Sequence, residues 1–299
     1  MKRPSLGIAL GGGGVRGAAH VGVLQELDSA GVEIDMIAGV SAGAVIGAMY
    51  AYSLDGKWVE EHFRNIWSSA TFDGTTSKRF IDNGSPDSFA HGIKKTLTEH
   101  VLAIMSLHKS SIIKNDQLRE VLELLMPVRT FEEMKIPLKI VSTDIETGDD
   151  LISDKGDLID ALVMSCAIPG VMEPIEEGGR MIVDGGVGMP IPVPVLKDLC
   201  DLTLAVDIGL YEFERLNRPN ARSIKIRSDI ITSNRLKARL ASDADLVIRP
   251  DTMGLHWSRF DSGEILFENG KKAARAKLSK LNAMINDKKE NEISKEWLS

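Results

Sequence analysis

Short apolar segments alternate with helical segments through most of this chain, and this alternation limits the available folds more than any other feature. Apolar runs typical of strands lie at 6–10, 36–40, 138–143, 151–153, 180–183, 203–206 and 246–248. Helical spacing marks the segments at 15–30, 42–52, 57–67, 116–125, 157–166, 193–198, 228–241 and 262–278. Such alternation predicts a largely parallel sheet covered by helices on both faces. We therefore expect an α/β protein, a three-layer α/β/α sandwich with a mostly parallel central sheet.

The 299 residues contain no low-complexity linker and no internal repeat, which favours one large domain over two modest ones. We place this domain at residues 1–280 and a charged C-terminal tail at 281–299. Apolar residues repeat every fourth position from Phe89 to Met105, which predicts an amphipathic helix. Two interpretations of that helix remain: it packs on the core, or it forms a lid over a site.

A run of glycines separates the first apolar strand from the first helix. Gly12, Gly14 and Gly17 have the GxGxxG spacing of a dinucleotide-binding turn. However, the second strand ends in Val40-Ser41, without the acidic residue that would bind a ribose, and no Lys-Ser/Thr pair follows the last glycine. The loop is therefore either a structural turn or an oxyanion hole, in which bare N–H groups at a helix N-terminus stabilise negative charge.

The pentapeptide Gly39-Val40-Ser41-Ala42-Gly43 matches G-x-S-x-G and lies between an apolar strand and a helix of small residues. A serine in this setting is held on a sharp strand-to-helix turn with its hydroxyl group exposed, and the glycines leave room for neighbouring backbone. The pattern predicts that Ser41 is a nucleophile and that the N–H of Ala42 contributes to an oxyanion hole.

The base for such a serine is predicted at Asp184-Gly185-Gly186, directly after the strand at 180–183. An aspartate at the carboxyl end of a strand points into the crevice where α/β sheets bind ligands, although an ordinary turn aspartate is the alternative. Asp144 and Asp207 also follow strands but lack the double glycine. None of the six histidines ends a late strand, as a hydrolase triad would require, and none has metal-ligand spacing.

These three motifs, in this order, resemble those of the patatin-like phospholipases, especially the compact bacterial members related to the catalytic domain of neuropathy target esterase. The resemblance extends from about residue 4 to about residue 278. It includes Thr143-Asp144, Thr147-Gly148, Ala167-Ile168-Pro169-Gly170 and the segment 260–274. Many members carry an asparagine after Asp-Gly-Gly, where this chain has the sequence Val187 to Val193. We expect that difference at the floor of the pocket.

The resemblance implies a Ser41–Asp184 dyad that hydrolyses acyl esters of the phospholipid, lysophospholipid or simpler type through an acyl-enzyme, without a metal or organic cofactor. We expect Val183 and Val187 to bury Asp184 and raise its pKa, which would make it a better base. The implied oxyanion hole comprises Gly12, Gly13, Gly14, Val15 and Ala42. The supporting residues are Arg16, Gly17, Gly39, Gly43, Gly185 and Gly186. Arg16 either holds the loop or faces a lipid phosphate.

Two other functions remain open at this point. An acyltransferase would load the same serine and pass the acyl group to an acceptor other than water. The related malonyl-transfer type has a histidine inside the serine motif, where this chain has Val40, which argues against that type. A non-catalytic binding or regulatory module on the same fold is the other alternative, and the intact serine, aspartate and glycine loop argue against it.

Charge and cysteine content indicate the setting. The net charge of −7 argues against nucleic acid as a partner, and two cysteines fit a reducing compartment. The apolar run at 6–10 is too short for a signal peptide, and the uncharged segment 36–54 has the small residues of a turn and helix rather than a membrane span. We expect a cytoplasmic protein. Eight basic residues and one acidic residue lie between Arg215 and Arg239, forming either a solvated face or a transient contact with a membrane surface.

Overall fold

A computed structural model describes residues 3–70, 114–213, 215–216, 219–255 and 263–296. The predicted helix at 89–105 lies outside these residues. The eight strands of the described part are β1 (Leu6–Leu10), β2 (Met36–Val40), β3 (Leu138–Asp144), β4 (Asp150–Ser153), β5 (Ile175–Glu177), β6 (Arg180–Asp184), β7 (Leu202–Val206) and β8 (Leu246–Ile248). Its helices are α1 (Ala18–Ser29), α2 (Ala42–Ser53), α3 (Gly56–Ala70), α4 (Asn115–Leu125), α5 (Leu158–Ser165), α6 (Ala221–Ala241) and α7 (Gly263–Glu296).

All eight strands belong to one mixed sheet. Strands β8, β7, β1, β2 and β3 are parallel neighbours in that order. Strand β3 also pairs antiparallel with β4 and β6, and β6 pairs antiparallel with β5. The expected mostly parallel sheet is confirmed for five strands, while the remaining strands form an antiparallel margin.

The two faces of the sheet pack into different clusters, which is the layered arrangement that the sequence predicted. Leu6, Ile8 and Leu10 of β1 belong to a large cluster that also contains most of the buried residues of α1 and α2. Ala9 points the other way and joins a smaller cluster with Leu196 and Ala241 of α6. Because side chains alternate along a strand, the sheet is buried on both faces.

Helices α1 and α7 cross so closely that only glycine fits at the contact. A Cβ atom on Gly22 would lie 2.0 Å from the carbonyl oxygen of Phe267, and one on Gly270 would lie 2.2 Å from that of Ala19. These distances are shorter than van der Waals contact. The two helices therefore pack backbone against backbone.

Three of the predicted helices differ from the structure, and strand β5 was not predicted. The expected helix at 193–198 is only a 3₁₀ turn, Val193–Val195, because prolines at 192 and 194 remove backbone donors. Helix α6 begins earlier than expected, behind an Asn220 capping box. Helix α7 continues to Glu296 without a break at 280, and Leu281 is buried. The division into residues 1–280 and a tail at 281–299 stays a prediction.

Candidate active site

Ser41 lies on a strained turn between β2 and α2. Its backbone φ is 54° and its ψ is −126°, a positive-φ conformation that is costly for a residue with a side chain. The side chain of Ser165, at the end of α5, stabilises this turn. It accepts a hydrogen bond from the Ser41 N–H (2.8 Å) and donates one to the carbonyl oxygen of Val141 (2.6 Å). The nucleophile elbow that the sequence predicted is therefore present in the backbone.

The glycines on either side of Ser41 permit close backbone contacts. A Cβ atom on Gly39 would lie 2.6 Å from the Cα of Ala44, and one on Gly43 would lie 2.2 Å from the carbonyl oxygen of Leu10. No side chain fits at either position without displacing backbone. Gly17 has the same role at the neighbouring helix, since its Cβ would lie 2.8 Å from the Cβ of Ala42.

Two strands that run in opposite directions bring Ser41 and Asp184 together. Strand β4 pairs with residues 140–143 of β3, so β2 and β6 must both lie along the other edge of β3. On that edge β2 ends with Val40 opposite Val141, and β6 ends with Asp184 opposite Ser142. The carboxyl ends of β2 and β6 thus meet head to head, one β3 residue apart.

Asp184 is buried, with 7% of its surface exposed, and its pKa is raised to about 6. Burial is the main cause, since it disfavours the charged form. Hydrogen bonding with the Ser41 side chain and the Gly186 N–H, together with the charge of Lys237, acts in the opposite direction. The direction agrees with the sequence prediction. Of the two neighbours named from the sequence, Val183 is buried, whereas Val187 is 48% exposed and lines the same cavity as Asp184.

The double glycine after Asp184 has two separate functions. The N–H of Gly186 donates to Oδ1 of Asp184 at 2.7 Å and fixes one oxygen of the carboxyl group. Gly185 passes so close to β3 that a Cβ atom would lie 2.4 Å from the carbonyl oxygen of Val141. The Asp184 carboxyl group is therefore held by its own turn, through the N–H of Gly186.

The glycine loop presents free N–H groups beside Ser41. Within the described part of the chain, no backbone acceptor binds the N–H groups of Gly13, Gly14, Val15 or Ala42. Gly12 differs from the sequence prediction, because its N–H donates to the carbonyl oxygen of Pro190 at 3.1 Å and is not available to a ligand. Gly12 instead packs against the Cβ of Ser41. The other four groups remain candidates for an oxyanion hole.

Two buried cations contact the carbonyl side of this loop. The Nε of Arg16 donates to the carbonyl oxygen of Gly13 at 3.1 Å, which supports the loop-holding interpretation of Arg16. The Nζ of Lys237, on α6, donates to the carbonyl oxygen of Gly12 at 2.7 Å. Burial lowers the pKa of Arg16 to about 10 and that of Lys237 to about 8. Both side chains stay largely charged at neutral pH.

A cavity of about 240 Å³ joins these groups. Its lining combines the loop glycines, both candidate catalytic residues, both cations and an apolar rim: Gly12, Gly13, Gly14, Arg16, Ser41, Ile168, Pro169, Asp184, Gly186, Val187, Pro190, Ser233 and Lys237. Val187 and Pro190 confirm that the segment after Asp-Gly-Gly lies at the pocket. The cavity is therefore polar at the loop and apolar opposite it.

The alternative bases considered from the sequence lie elsewhere. Asp207 is occupied by the Tyr211 hydroxyl group (2.5 Å) and the Nε of Arg249 (3.0 Å). Asp144 accepts from the N–H of Glu146 at 3.0 Å. Neither aspartate lines the cavity. His20 donates from Nε2 to the carbonyl oxygen of Gly11 at 2.7 Å, and burial lowers its pKa to about 4, which leaves it neutral and structural.

Three residues that lie at the site were not predicted from the sequence to be there. Ser165 and Lys237 have no local motif, and only the folded chain brings them to the loop and the elbow. Cys166 is buried next to the dyad, where burial and the charge of Asp184 raise the pKa of its thiol. Its neighbour Ala167 belongs to a stretch that resembles the family, which was the only available signal.

Neither a metal centre nor a membrane span is found in the described residues. No group of three or more histidine, cysteine, aspartate or glutamate side chains in those ranges has the arrangement of a metal site. Among the described helices, none is both long enough and apolar enough to cross a bilayer.

Comparison with known proteins agrees with this geometry. Residues 8–197 match the model of the patatin-like phospholipase family. An uncharacterised NTE family protein of Mycobacterium tuberculosis is 31% identical over 209 residues, which is 69% of this chain and 49% of that protein. Neuropathy target esterase of Drosophila melanogaster is 29% identical over 210 residues, which is 69% of this chain and 13% of that protein. The chain thus spans about half the length of the mycobacterial relative.

A solved structure supports the fold independently. VipD of Legionella pneumophila superposes with a TM-score of 0.52 at 14% sequence identity, covering 93% of this chain and 67% of that one. At this identity the similarity concerns the fold alone. The ordered motifs, the mixed sheet and the family match over most of its length lead to one assignment: the chain belongs to the patatin-like phospholipase family.

Proposed function

We propose that the protein is a serine hydrolase of lipid or lysolipid esters, with Ser41 as nucleophile and Asp184 as base. The observation that carries the proposal is the meeting of a strained serine and a buried carboxyl group of raised pKa in one cavity. An aspartate with its ordinary pKa of about 4 is a weak base, so the raised pKa matters for proton transfer at neutral pH.

The reaction has two halves. The Ser41 hydroxyl oxygen attacks the ester carbonyl carbon while Asp184 accepts the hydroxyl proton, directly or through water. The N–H groups of Gly13, Gly14, Val15 and Ala42 stabilise the negative oxygen that forms. The C–O bond to the alcohol then breaks, and Asp184 returns the proton to the leaving oxygen. Water, deprotonated by Asp184, attacks the carbonyl carbon of the acyl-enzyme. The bond from that carbon to the Ser41 oxygen breaks, Asp184 returns the proton to this oxygen, and the fatty acid is released.

A fluorophosphonate probe tests the nucleophile. We expect the probe to label the wild type and Ser279→Ala, an exposed serine on α7, but not Ser41→Ala. Hydrolysis of a short p-nitrophenyl ester should be lost in Ser41→Ala and reduced by at least about a hundredfold in Asp184→Asn, which is the scale of general-base catalysis. Full activity in either variant would refute the dyad.

We also propose that the exposed half of α6 contacts a lipid surface. Ile224 and Ile226 are 49% and 45% exposed, and Ile231 on the same helix is exposed as well. Lys225 and Arg235 accompany them, and the same helix continues to Ser233 and Lys237 at the cavity. Exposed apolar residues mixed with cations are typical of segments that bind the interface of an anionic membrane.

Vesicle sedimentation tests this contact. We expect the wild type to bind vesicles of phosphatidylcholine with phosphatidylglycerol. The double change Ile224→Ser with Ile231→Ser, two exposed positions seven residues apart on one face of α6, should weaken binding by at least about tenfold, because two membrane-inserted apolar side chains are lost. Ile265→Ser, a matched exposed isoleucine on α7, is the control and should bind normally. Equal binding by all three proteins would contradict the lipid-facing role of α6.

A further inference from the structure

Three successive carbonyl oxygens of the glycine loop each accept a hydrogen bond from a different buried side chain. Gly11 is bound by Nε2 of His20 at 2.7 Å, Gly12 by Nζ of Lys237 at 2.7 Å, and Gly13 by Nε of Arg16 at 3.1 Å. The first and last of these donors lie close in sequence to the loop. Lys237 does not, since it reaches the loop from α6, 225 positions away.

The position of Lys237 is energetically unfavourable for a lysine. Only 6% of its surface is exposed, and no carboxylate in the described ranges comes within salt-bridge distance of it. A buried ammonium group normally requires a charged partner or several hydrogen bonds. Here the hydrogen-bond partner of the ammonium group is the neutral carbonyl group of Gly12, which does not neutralise its charge. We therefore take the contact to restrain the loop and not to stabilise the lysine.

Because a peptide group is planar, the contact on the Gly12 carbonyl also restrains the N–H group on the other side of the same peptide, that of Gly13. In a trans peptide the carbonyl and the N–H point in opposite directions. A cation fixed on the carbonyl oxygen of Gly12 therefore aims the Gly13 N–H away from α6. Glycines rotate more freely than other residues, so a loop of four of them needs such a restraint to keep its N–H groups in one direction. A charged donor also polarises the peptide and strengthens the N–H as a donor.

We propose that Lys237 is a positioning residue, whose ammonium group fixes and polarises the Gly12–Gly13 peptide so that the Gly13 N–H stabilises the oxyanion. This inference rests on the proposed ester hydrolysis by Ser41. It assigns Lys237 an effect on the transition state through the backbone, without contact with the acyl group. The effect should therefore appear in kcat with any ester, including one that carries no charge.

The charge of Lys237 gives a second readout. Burial and the neighbouring charge of Arg16 lower its pKa to about 8, while Asp207 and Asp184 act in the opposite direction. His20 also faces this group and is already neutral at that pH. Above about pH 8 Lys237 loses its charge, and polarisation of the Gly12 carbonyl weakens. We expect kcat of the wild type to decrease there, and we expect no decrease in Lys237→Arg, since arginine stays charged.

The kinetic experiment uses a short, uncharged p-nitrophenyl ester with the wild type, Lys237→Met, Lys237→Arg and the control Lys277→Met, an exposed lysine on α7. We expect Lys237→Met to lower kcat by about ten- to a hundredfold, somewhat less than the loss of a whole oxyanion donor, with KM changed less than about threefold. Lys237→Arg should recover most of kcat. Thermal unfolding verifies that each variant is folded.

The outcomes separate this inference from the proposed function. A Ser41-dependent wild type with an equally active Lys237→Met variant would overturn the role of Lys237 and leave the hydrolase intact. A Lys237→Met variant that is impaired only in KM for a phospholipid would also overturn this role, because Lys237 would then bind a headgroup phosphate. If Lys237→Met does not fold, a wild-type kcat that stays constant from pH 7 to 9.5 would overturn the role. A wild type without Ser41-dependent hydrolysis would overturn both proposals.

Discussion

At the scale of single residues, the two candidate catalytic groups are both held in unfavourable states by their neighbours. Ser41 has a positive-φ backbone, and Asp184 is a buried carboxyl group. Ser165 binds the Ser41 N–H, and the Gly186 N–H binds the Asp184 carboxylate. Strained backbone and perturbed pKa values are concentrated at functional sites because the surrounding fold provides the energy that maintains them.

The raised pKa of Asp184 predicts the acid side of the activity profile. Asp184 accepts a proton only when it is ionised, so kcat/KM for a short ester should increase about tenfold per pH unit below about pH 6 and level off above it. Measuring the rate from pH 4.5 to 7.5 checks this expectation. A rate that stays constant over that range would exclude Asp184 as the base.

Loss of the Ser165 hydroxyl group should weaken the elbow. In Ser165→Ala the Ser41 N–H and the Val141 carbonyl both lose a buried partner, which costs roughly 1–3 kcal/mol of unfolding free energy. Activity should decrease as well, since the turn that presents the nucleophile is less restrained. Chemical denaturation and ester hydrolysis measure the two effects, with Ser279→Ala as the control. Unchanged stability would show that the two hydrogen bonds contribute little.

At the scale of elements, the site depends on the ends of strands, and the sheet depends on a helix crossing behind it. Strands β2 and β6 meet on one edge of β3 and deliver Ser41 and Asp184. Behind them, α1 packs on α7 through Gly22 and Gly270. Since α1 follows the glycine loop directly, a shift of this crossing would displace the loop.

The crossing predicts a strong effect of side-chain size at Gly270. In Gly270→Val the added carbons would meet the Ala19 carbonyl, and such overpacking typically costs about 1–3 kcal/mol or more. We expect a clearly lower melting temperature than for the wild type. Ala276→Val, at an exposed position of the same helix, isolates the effect of a β-branched residue and should change the melting temperature little. Equal melting temperatures for the two variants would contradict the close packing.

Strong local patterns predicted the elements that form the site. Strands β1 and β2 are apolar segments followed directly by Gly11 and Ser41, and the apolar residues of β6 are followed by Asp184 and two glycines, so the positions of these strands follow from the sequence alone. Strand β5 was missed because Ile175–Glu177 is three residues long and contains two glutamates. The early start of α6 was missed because exposed isoleucines and cations alternate there, and this hides the helical period. Strand β5 forms because it pairs with β6, whereas the start of α6 is set by the Asn220 capping box.

The candidate site was predicted where chemistry lies in contiguous motifs and missed where it depends on distant contacts. Ser41, Asp184 and the loop glycines belong to short motifs with recognised roles. Lys237 and Ser165 are ordinary helix residues in the sequence, and their functions arise only because α6 and α5 pack next to the loop and the elbow. Gly12 was assigned as a donor because the motif does not reveal that Pro190 accepts its N–H.

At the scale of the whole molecule, charge and burial are distributed unevenly. The chain has a net charge of −7, yet α6 carries an excess of cations, one of which, Lys237, lines the cavity. Ion pairs link the last described helix to earlier parts of the chain, among them Arg275 with Glu26 and Lys271 with Glu60. The Arg275 side chain is largely exposed, so its ion pair with Glu26 adds little stability. The packing of α7 therefore depends mainly on its apolar and glycine contacts.

Global stability should respond to the charge of Asp184. Its pKa in the folded protein, about 6, lies above the ordinary value for an aspartate, so the native protein prefers the neutral form, and ionisation costs stability as pH increases from about 4 to 6. Asp184→Asn removes this cost. We expect it to be more stable than the wild type at pH 7.5, by up to roughly 2–3 kcal/mol, and similar at pH 4. Denaturant unfolding at both values tests this, and an equal difference at both would contradict it.

The head-to-head meeting of β2 and β6 has a consequence for how this family can diversify. Because both strands lie along the same edge of β3, the separation of Ser41 and Asp184 is set by the hydrogen-bond register of one rigid strand. The length of chain that connects Ser41 to Asp184 does not enter this geometry. Segments between them other than β3 and α5 can be lengthened, exchanged or shortened to alter which substrates enter, while Ser41 and Asp184 keep their spacing.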